Sequence, residues 1–234
     1  MKERNESGVA LVTGAASGIG ASVVDRLANR GWRTVGLDLR ESGADLSIVV
    51  DVADAVAVRT AVERAVEEVG PISLLVTVAG HYEMQPFAEI GASTWHRMLR
   101  VHLGGTRNCC AAVLPGMLER GTGSIVTVSS ELALAGGEND AHYAAAKGAI
   151  IGFTKALAAE VAGAGVRVNC VAPGPTDTPL LGPDSPWRDE DFLRTLPLRR
   201  LVKPDEVAET VVFLAEEGDY FCGQVLSPNA GAVI

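Results

Sequence analysis

The sequence predicts an α/β fold, a doubly wound parallel sheet of about seven strands with helices on both faces, and three observations carry that prediction. Short apolar runs alternate with helix-patterned segments along the chain, the pattern of parallel strands joined by right-handed helical crossovers. The first apolar run leads straight into a glycine-rich stretch, Thr13 to Gly20, and then into a helix. With 47% hydrophobic but only 5% aromatic residues, the core has to be filled by Ala, Val, Leu and Gly, which suits close packing of helices on a sheet. The 234 residues are enough for one α/β domain, expected to span 1–234.

Charge and composition narrow the partners. A formal net charge of -9 speaks against an extended nucleic-acid or anionic-membrane surface, since both require clustered positive charge. No uncharged apolar run reaches membrane-spanning length, and residues 1–7 carry no apolar region of a signal peptide, so a cytoplasmic location is expected. Cys109, Cys110, Cys170 and Cys222 show no metal-ligand spacing, and the adjacent pair lies on an expected helix, poorly placed for a disulfide. All four are expected to be reduced, buried apolar residues, and no metal site is expected.

The elements follow in order. The run at 9–12 reads as a strand buried on both faces, and a helix is expected at 21–30. In the turn between them Gly14 permits the bend, Gly18 a close phosphate approach and Gly20 close helix packing, so that backbone amides and the positive helix end can receive a pyrophosphate. The spacing is not GxGxxG. A second strand at 33–37 ends in Asp38, eighteen residues after Gly20, where a carboxylate accepts hydrogen bonds from adenosine ribose hydroxyls and repels a 2′-phosphate. Ser17 adds no cation to offset that repulsion, so NAD is expected over NADP. Arg33 and Arg40 are the cations that count the other way.

A third strand at 48–50 leads to Asp51, placed to meet an adenine edge, and to a helix at 55–69. The fourth strand, 72–78, ends at Ala79 and Gly80, small enough to lie against a cofactor. Ser93 or Thr94 is expected to cap a helix reaching about Leu118, bent near its end by Pro115. The fifth strand, 124–128, places Ser129 and Ser130 at its C-terminal edge, where ligands bind in such sheets. A sixth strand at 166–171 runs into the turn-rich segment from Ala172 to Pro179. Residues 177–204 hold five prolines and one short helical patch at 189–195, which suits a lid over a ligand. A helix at 205–215 and a strand at 224–226 end the pattern.

Chemistry concentrates at Tyr143. Tyr143 and Lys147 are four residues apart in an alanine-rich helix expected to reach Val161, so they share a face. A fixed ammonium beside a phenol favours the phenolate and brings the tyrosine closer to use as a base at neutral pH.

With these motifs placed, the chain resembles the short-chain dehydrogenase/reductase family from Val9 to Ala230. Thr13-Gly-Ala-Ala-Ser-Gly-Ile-Gly20 matches its TGxxxGxG turn, Asp51 its adenine-contacting Asp, Ser130 its serine thirteen residues before the tyrosine, Tyr143-Ala-Ala-Ala-Lys147 its YxxxK, and Pro173-Gly174 its PG turn. The resemblance implies a Rossmann-type sheet with Ser130, Tyr143 and Lys147 as catalytic residues. It implies cofactor contacts from Thr13, Gly14, Ser17, Gly18, Ile19, Gly20, Asp38, Asp51, Val52, Ala79, Gly80, Tyr143, Lys147, Pro173, Gly174, Thr176 and Thr178. It also implies a homotetramer, assembled through the helices at 95–118 and 143–161 and the C-terminal strand.

Two positions depart from the family pattern. The NNAG segment reads Thr77-Val78-Ala79-Gly80, with an expected loss of one structural hydrogen bond at Val78. The family's catalytic Asn corresponds to His102, whose backbone carbonyl can still help hold a water near the lysine, while its ring either packs or titrates; packing with relay support is expected. The implied function is NAD-dependent hydride transfer between a secondary alcohol and its ketone. The alternatives are an NADPH-dependent 3-oxoacyl reductase, against which Asp38 argues, and a non-catalytic dinucleotide sensor. A small-molecule substrate is expected to meet Ser130, Leu132, Asn139 and Trp187, with His81 nearby and His142, next to Tyr143 on the helix, considered for the pocket but expected to face elsewhere; these residues do not specify its identity.

Overall fold

Burial on both faces governs the central strand. In the computed structural model, which describes residues 8–234, β1 (Val9–Thr13) is buried along its whole length, paired with a parallel strand at each edge and covered by a helical layer on each face. The expectation about a signal peptide at 1–7 lies outside the described residues. The neighbours are β2 (Arg33–Asp38) and β4 (Ile72–Thr77). Beyond them lie β3 (Leu46–Val49) on one side and β5 (Gly123–Val128), β6 (Val166–Val171) and the two-residue β7 (Val225–Leu226) on the other. The sheet has seven strands in the order β3-β2-β1-β4-β5-β6-β7, every pair parallel. The strand order reverses between β1 and β4, and a crevice opens beyond the strand C-termini at such a reversal.

Side chains alternate across the pleat, so each strand feeds two cores. Leu11, Val35, Leu75, Ile125 and Val168 face α2 (Ala55–Glu68), α4 (Gly105–Arg120) and α6 (Ala141–Val161). Ala10, Val12, Leu74, Val76, Val126 and Val171 face α1 (Gly18–Ala28) and α8 (Pro204–Glu216). The last two helices are also joined by polar contacts. Arg26 pairs with Asp205 at 2.6 Å and with Glu209 at 3.0 Å, and Ser22 donates to Asp205.

Several local expectations are corrected. The helix expected from Ser93 or Thr94 begins at Ala92 with Gly91 as its N-cap and no side-chain cap, so neither hydroxyl serves that role. It is not continuous: α3 (Ala92–Leu99) passes through a wider π-helical turn, Arg100–Gly104, into α4. Such turns have one extra residue per cycle and recur at functional sites. Pro115 is accommodated inside α4, which runs on to Arg120 and closes at the left-handed Gly121. A short helix, α5 (Leu132–Ala135), follows Ser130 in a segment to which the sequence assigns no element, and α7 (Glu190–Thr195) is the helical patch of the proposed lid. Cys109, Cys110 and Cys170 are buried and unbridged, whereas Cys222 is only half-buried.

Candidate active site

The C-terminal ends of the strands open into a cleft of about 720 Å³, walled by the β1–α1 turn, the ends of β4 and β5, α6 and the segment after β6. Positive φ angles at Gly14 (67°) and Gly18 (54°) shape the turn, and a Cβ on Gly20 would overlap the Gly14 carbonyl. Gly14, Ser17, Gly18 and Ile19 line the cleft. Thr13 and Gly20 instead stand behind it: Thr13 Oγ1 accepts from the backbone N–H groups of Val78 and Ala79, both at 3.0 Å, and ties β1 to the end of β4.

Farther along, Asp38, Asp51 and Val52 line the same cleft. The Asp38 carboxylate is oriented at both oxygens, by Ala16 N at 3.0 Å and Arg40 N at 3.1 Å. Arg33 opens β2 and Asp38 closes it, so the two are separated by roughly 17 Å of strand. Arg40, by contrast, lines the cleft.

At the other end Ser130 follows β5, and α6 presents Tyr143 and Lys147 on one face, 9% and 4% exposed. Lys147 Nζ donates to Val128 O at 2.9 Å and lies 5.7 Å from the centre of the Tyr143 ring. Ser130 Oγ donates to Glu131 Oε2 at 2.8 Å and accepts from Leu132 N at 3.2 Å. Tyr82 and His102 both meet the Tyr143 ring edge-on, at 5.0 and 5.5 Å between centroids.

The electrostatics reverse one sequence expectation. The Tyr143 phenol is pushed well above its ordinary pKa, first by burial and then by the neighbouring Glu131; the Ser130 hydroxyl works in the opposite direction. Burial also lowers Lys147 to about 8 and raises Glu131 to about 7. In the cofactor-free protein, desolvation therefore outweighs whatever the ammonium does for the phenolate.

His102 is 2% exposed, and burial followed by the Lys147 charge holds its pKa well below the usual histidine range. Its ring is neutral, with Nε2 at 2.8 Å from His81 O and 3.2 Å from His81 N, and Nδ1 without a hydrogen-bond partner. The shorter contact assigns the proton to Nε2. A Cβ on Gly80 would overlap this ring, so the small residue after β4 serves His102 as well as the cleft.

Ala79, Gly80, Pro173, Gly174, Thr176 and Thr178 all line the cleft, as do Leu132, His81 and Trp187. Asn139 and His142 do not. Asn139 has φ 65° and accepts Gln85 N at its carbonyl, and the His142 ring is buried away from the cleft. Several cleft residues escaped the sequence reading, among them Arg97, Arg100 and Leu181, and two of them stand beside the reacting groups. Glu131 directly follows Ser130 at the strand edge, a signal that was available, whereas Tyr82 reaches the site through an irregular loop without a motif.

Over the cleft, Trp187 Nε1 donates to Tyr82 OH at 3.1 Å, and Arg188 pairs with Asp177 at 2.7 Å while donating to the carbonyls of Leu181 and Gly182. The donor set suits a dinucleotide. A glycine turn at a helix N-terminus offers amides to a pyrophosphate, a pre-oriented carboxylate stands at the end of β2, and a hydroxyl, a phenol and an ammonium stand at the far end.

Fold and site together define an α/β dinucleotide-dependent oxidoreductase. A family model described as short chain dehydrogenase matches residues 8–189. The chain is 35% identical to a 3-oxoacyl-acyl-carrier-protein reductase of Thermotoga maritima, over 99% of this chain and 100% of that protein. It is 37% identical to a D-threitol dehydrogenase of Mycolicibacterium smegmatis, over 92% and 88% of the respective chains. Among solved structures, the ligand-free aldohexose dehydrogenase of Thermoplasma acidophilum superposes with a TM-score of 0.90 at 30% identity, covering 97% of this chain and 94% of that one. The chain belongs to the short-chain dehydrogenase/reductase family. It is an oxidoreductase that uses a nicotinamide cofactor on a small-molecule substrate.

Proposed function

We propose that the protein interconverts a secondary alcohol and its ketone with NAD, using Ser130, Tyr143 and Lys147. The observation that carries this reading is the placement of all three at one end of a cleft whose other end holds the oriented Asp38 carboxylate. The nicotinamide, when bound, supplies or accepts the hydride. The chain's own groups manage the oxygen. In oxidation the Tyr143 phenolate takes the alcohol proton, and in reduction the phenol returns one; Ser130 donates a hydrogen bond to the same oxygen. Lys147 holds the cofactor ribose and adds positive charge on the phenolate's side of the equilibrium.

In this reading the glycine turn, Asp51, Val52, Ala79, Gly80 and Pro173 to Thr178 hold the dinucleotide, with Thr13 and Gly20 supporting the turn. Leu132 and Trp187 contact substrate. Residues 177–204 act as a lid, tied to the site by Trp187 on Tyr82 and braced internally by Arg188 on Asp177. NAD is preferred because Asp38 disfavours a 2′-phosphate and, of the two arginines weighed against it, Arg33 lies at the opposite strand end. A second reading, reduction of a 3-oxoacyl thioester, draws on the similarity to the Thermotoga maritima enzyme.

The protein is further proposed to be cytoplasmic and homotetrameric; among the described residues no helix is long and apolar enough to cross a membrane. On α6, Cβ atoms built on Gly148 and Gly152 would meet nothing, leaving a flat outer face for a second copy. A monomer mass in solution would overturn the tetramer. The central experiment pairs NAD turnover on a panel of secondary alcohols with Tyr143→Phe. The variant is expected to bind NAD normally and to lose about 10³-fold in turnover. Retained turnover would refute the assignment, and tight NAD binding by the wild type without turnover on any alcohol would favour a sensor.

A further inference from the structure

A serine hydroxyl has one proton and two acceptor sites. Ser130 directs its proton at 2.8 Å to Glu131 Oε2 and accepts Leu132 N–H at 3.2 Å, so in this arrangement it offers the cleft only a lone pair. A substrate carbonyl or carbinol oxygen needs the opposite, a donor.

We propose that Glu131 is a positioning residue that acts through Ser130: as a neutral acid it donates to Ser130 Oγ and frees the serine proton for the substrate oxygen, and as a carboxylate it retains that proton. The proposal rests on the reading of Ser130 as donor to the substrate. In the neutral state the count closes. Ser130 Oγ accepts from Leu132 N–H and from the Glu131 O–H, and its one donation is left for the Tyr143 side of the cleft, where the substrate oxygen binds in this reading.

The surroundings of Glu131 favour the neutral acid. The residue is 7% exposed, and no ion pair involving it occurs among the described residues. The titratable groups that face it are Tyr143 on α6 and Asp140 just before that helix, neither of them a cation. Lys147, one turn beyond Tyr143, is turned to Val128 O. The loop after β6 meets Glu131 through the Pro173 carbonyl, which accepts Glu131 N at 3.0 Å, and the lid brings Leu181 and Trp187 to the same cleft. Burial is the largest influence raising the carboxyl to about 7, and Asp140 adds to it. An ionised Glu131 would also oppose formation of the Tyr143 phenolate, so one protonation state suits both partners.

The test is the pH dependence of kcat/KM for ketone reduction between pH 5.5 and 9, in the wild type, Glu131→Gln and Ser130→Ala. A glutamine amide donates to Ser130 Oγ at every pH. The ratio of Glu131→Gln to wild-type kcat/KM should therefore climb about tenfold per pH unit above roughly 7, reaching about thirtyfold at pH 8.5. Parallel profiles would overturn the proposal while leaving Ser130 as the donor. Undiminished turnover by Ser130→Ala would instead remove the reading on which the proposal rests. A measurement without turnover complements these: in cofactor-free wild-type protein carrying carboxyl-labelled glutamate, one glutamate should titrate near neutrality by infrared or NMR and vanish in Glu131→Gln. Titration of every glutamate below about pH 5.5 would sink the idea even if the variants fail to fold.

Discussion

Lys147→Met removes a charge that the fold holds at a cost. Burial lowers the Lys147 pKa from its ordinary 10.5 to about 8, a difference of about 2.5 units. At about 1.4 kcal/mol per unit, the folded state bears on the order of 3 kcal/mol at pH 7 for keeping the ammonium charged. Methionine preserves the apolar stem and shape but loses the 2.9 Å bond to Val128 O, and an unpaired buried carbonyl costs about 1–3 kcal/mol. The two contributions nearly cancel, leaving the variant between about as stable as the wild type and about 2 kcal/mol more stable, although it should be inactive.

The pH dependence sharpens this expectation. The folded-state pKa lies below the unfolded one, so between about pH 8 and 10.5 the unfolded chain binds more protons. Wild-type stability should therefore gain from Lys147 as pH rises through that window, and the variant should lack the gain. Urea unfolding followed by fluorescence of Trp32, Trp95 and Trp187, at fixed protein concentration and at pH 7 and pH 10, measures both effects. A variant more than about 1 kcal/mol less stable at pH 7 with an unchanged m-value, or identical pH responses of the two proteins, would refute the reasoning.

Two further variants probe the ends of the cleft. Removing the carboxylate in Asp38→Ser should move the NADP-to-NAD ratio of kcat/KM toward NADP by tenfold or more, since about 1.4 kcal/mol of repulsion relieved is a factor of ten; an unmoved ratio would show that Asp38 does not select the cofactor. His102→Asn should leave the shape of the pH–rate profile between pH 6 and 9 intact, because burial keeps the imidazole neutral there; loss of an ionisation limb in the variant would restore His102 as a titrating group.

Much of the fold was legible because its signals are local. Apolar runs of strand length, the helical pattern between them and the TGxxxGxG turn each reflect backbone geometry over a few residues, and the two strands at 33–38 and 166–171 fall where the sequence places them. The π-helical turn at Arg100–Gly104 was not legible, since His102 within it packs against Gly80, His81 and Tyr143, residues from two other parts of the chain. Asn139 was expected in the pocket from its position in the loop before Tyr143. The loop instead turns its carbonyl to Gln85 N, a partner more than fifty residues earlier in the chain.

By itself, then, the sequence determined the alternation that builds the sheet, the turn that suits a dinucleotide, and the helical spacing that sets Tyr143 beside Lys147. Only the tertiary structure decided how those groups behave: that the phenol is held protonated in the cofactor-free protein, that His102 is neutral, and that the Ser130 hydroxyl is paired with the Glu131 carboxyl. Spacing along one helix follows from a fixed rise and turn per residue. Desolvation and hydrogen-bond pairing depend on every group within a few ångströms, and those groups come from segments that only folding brings together.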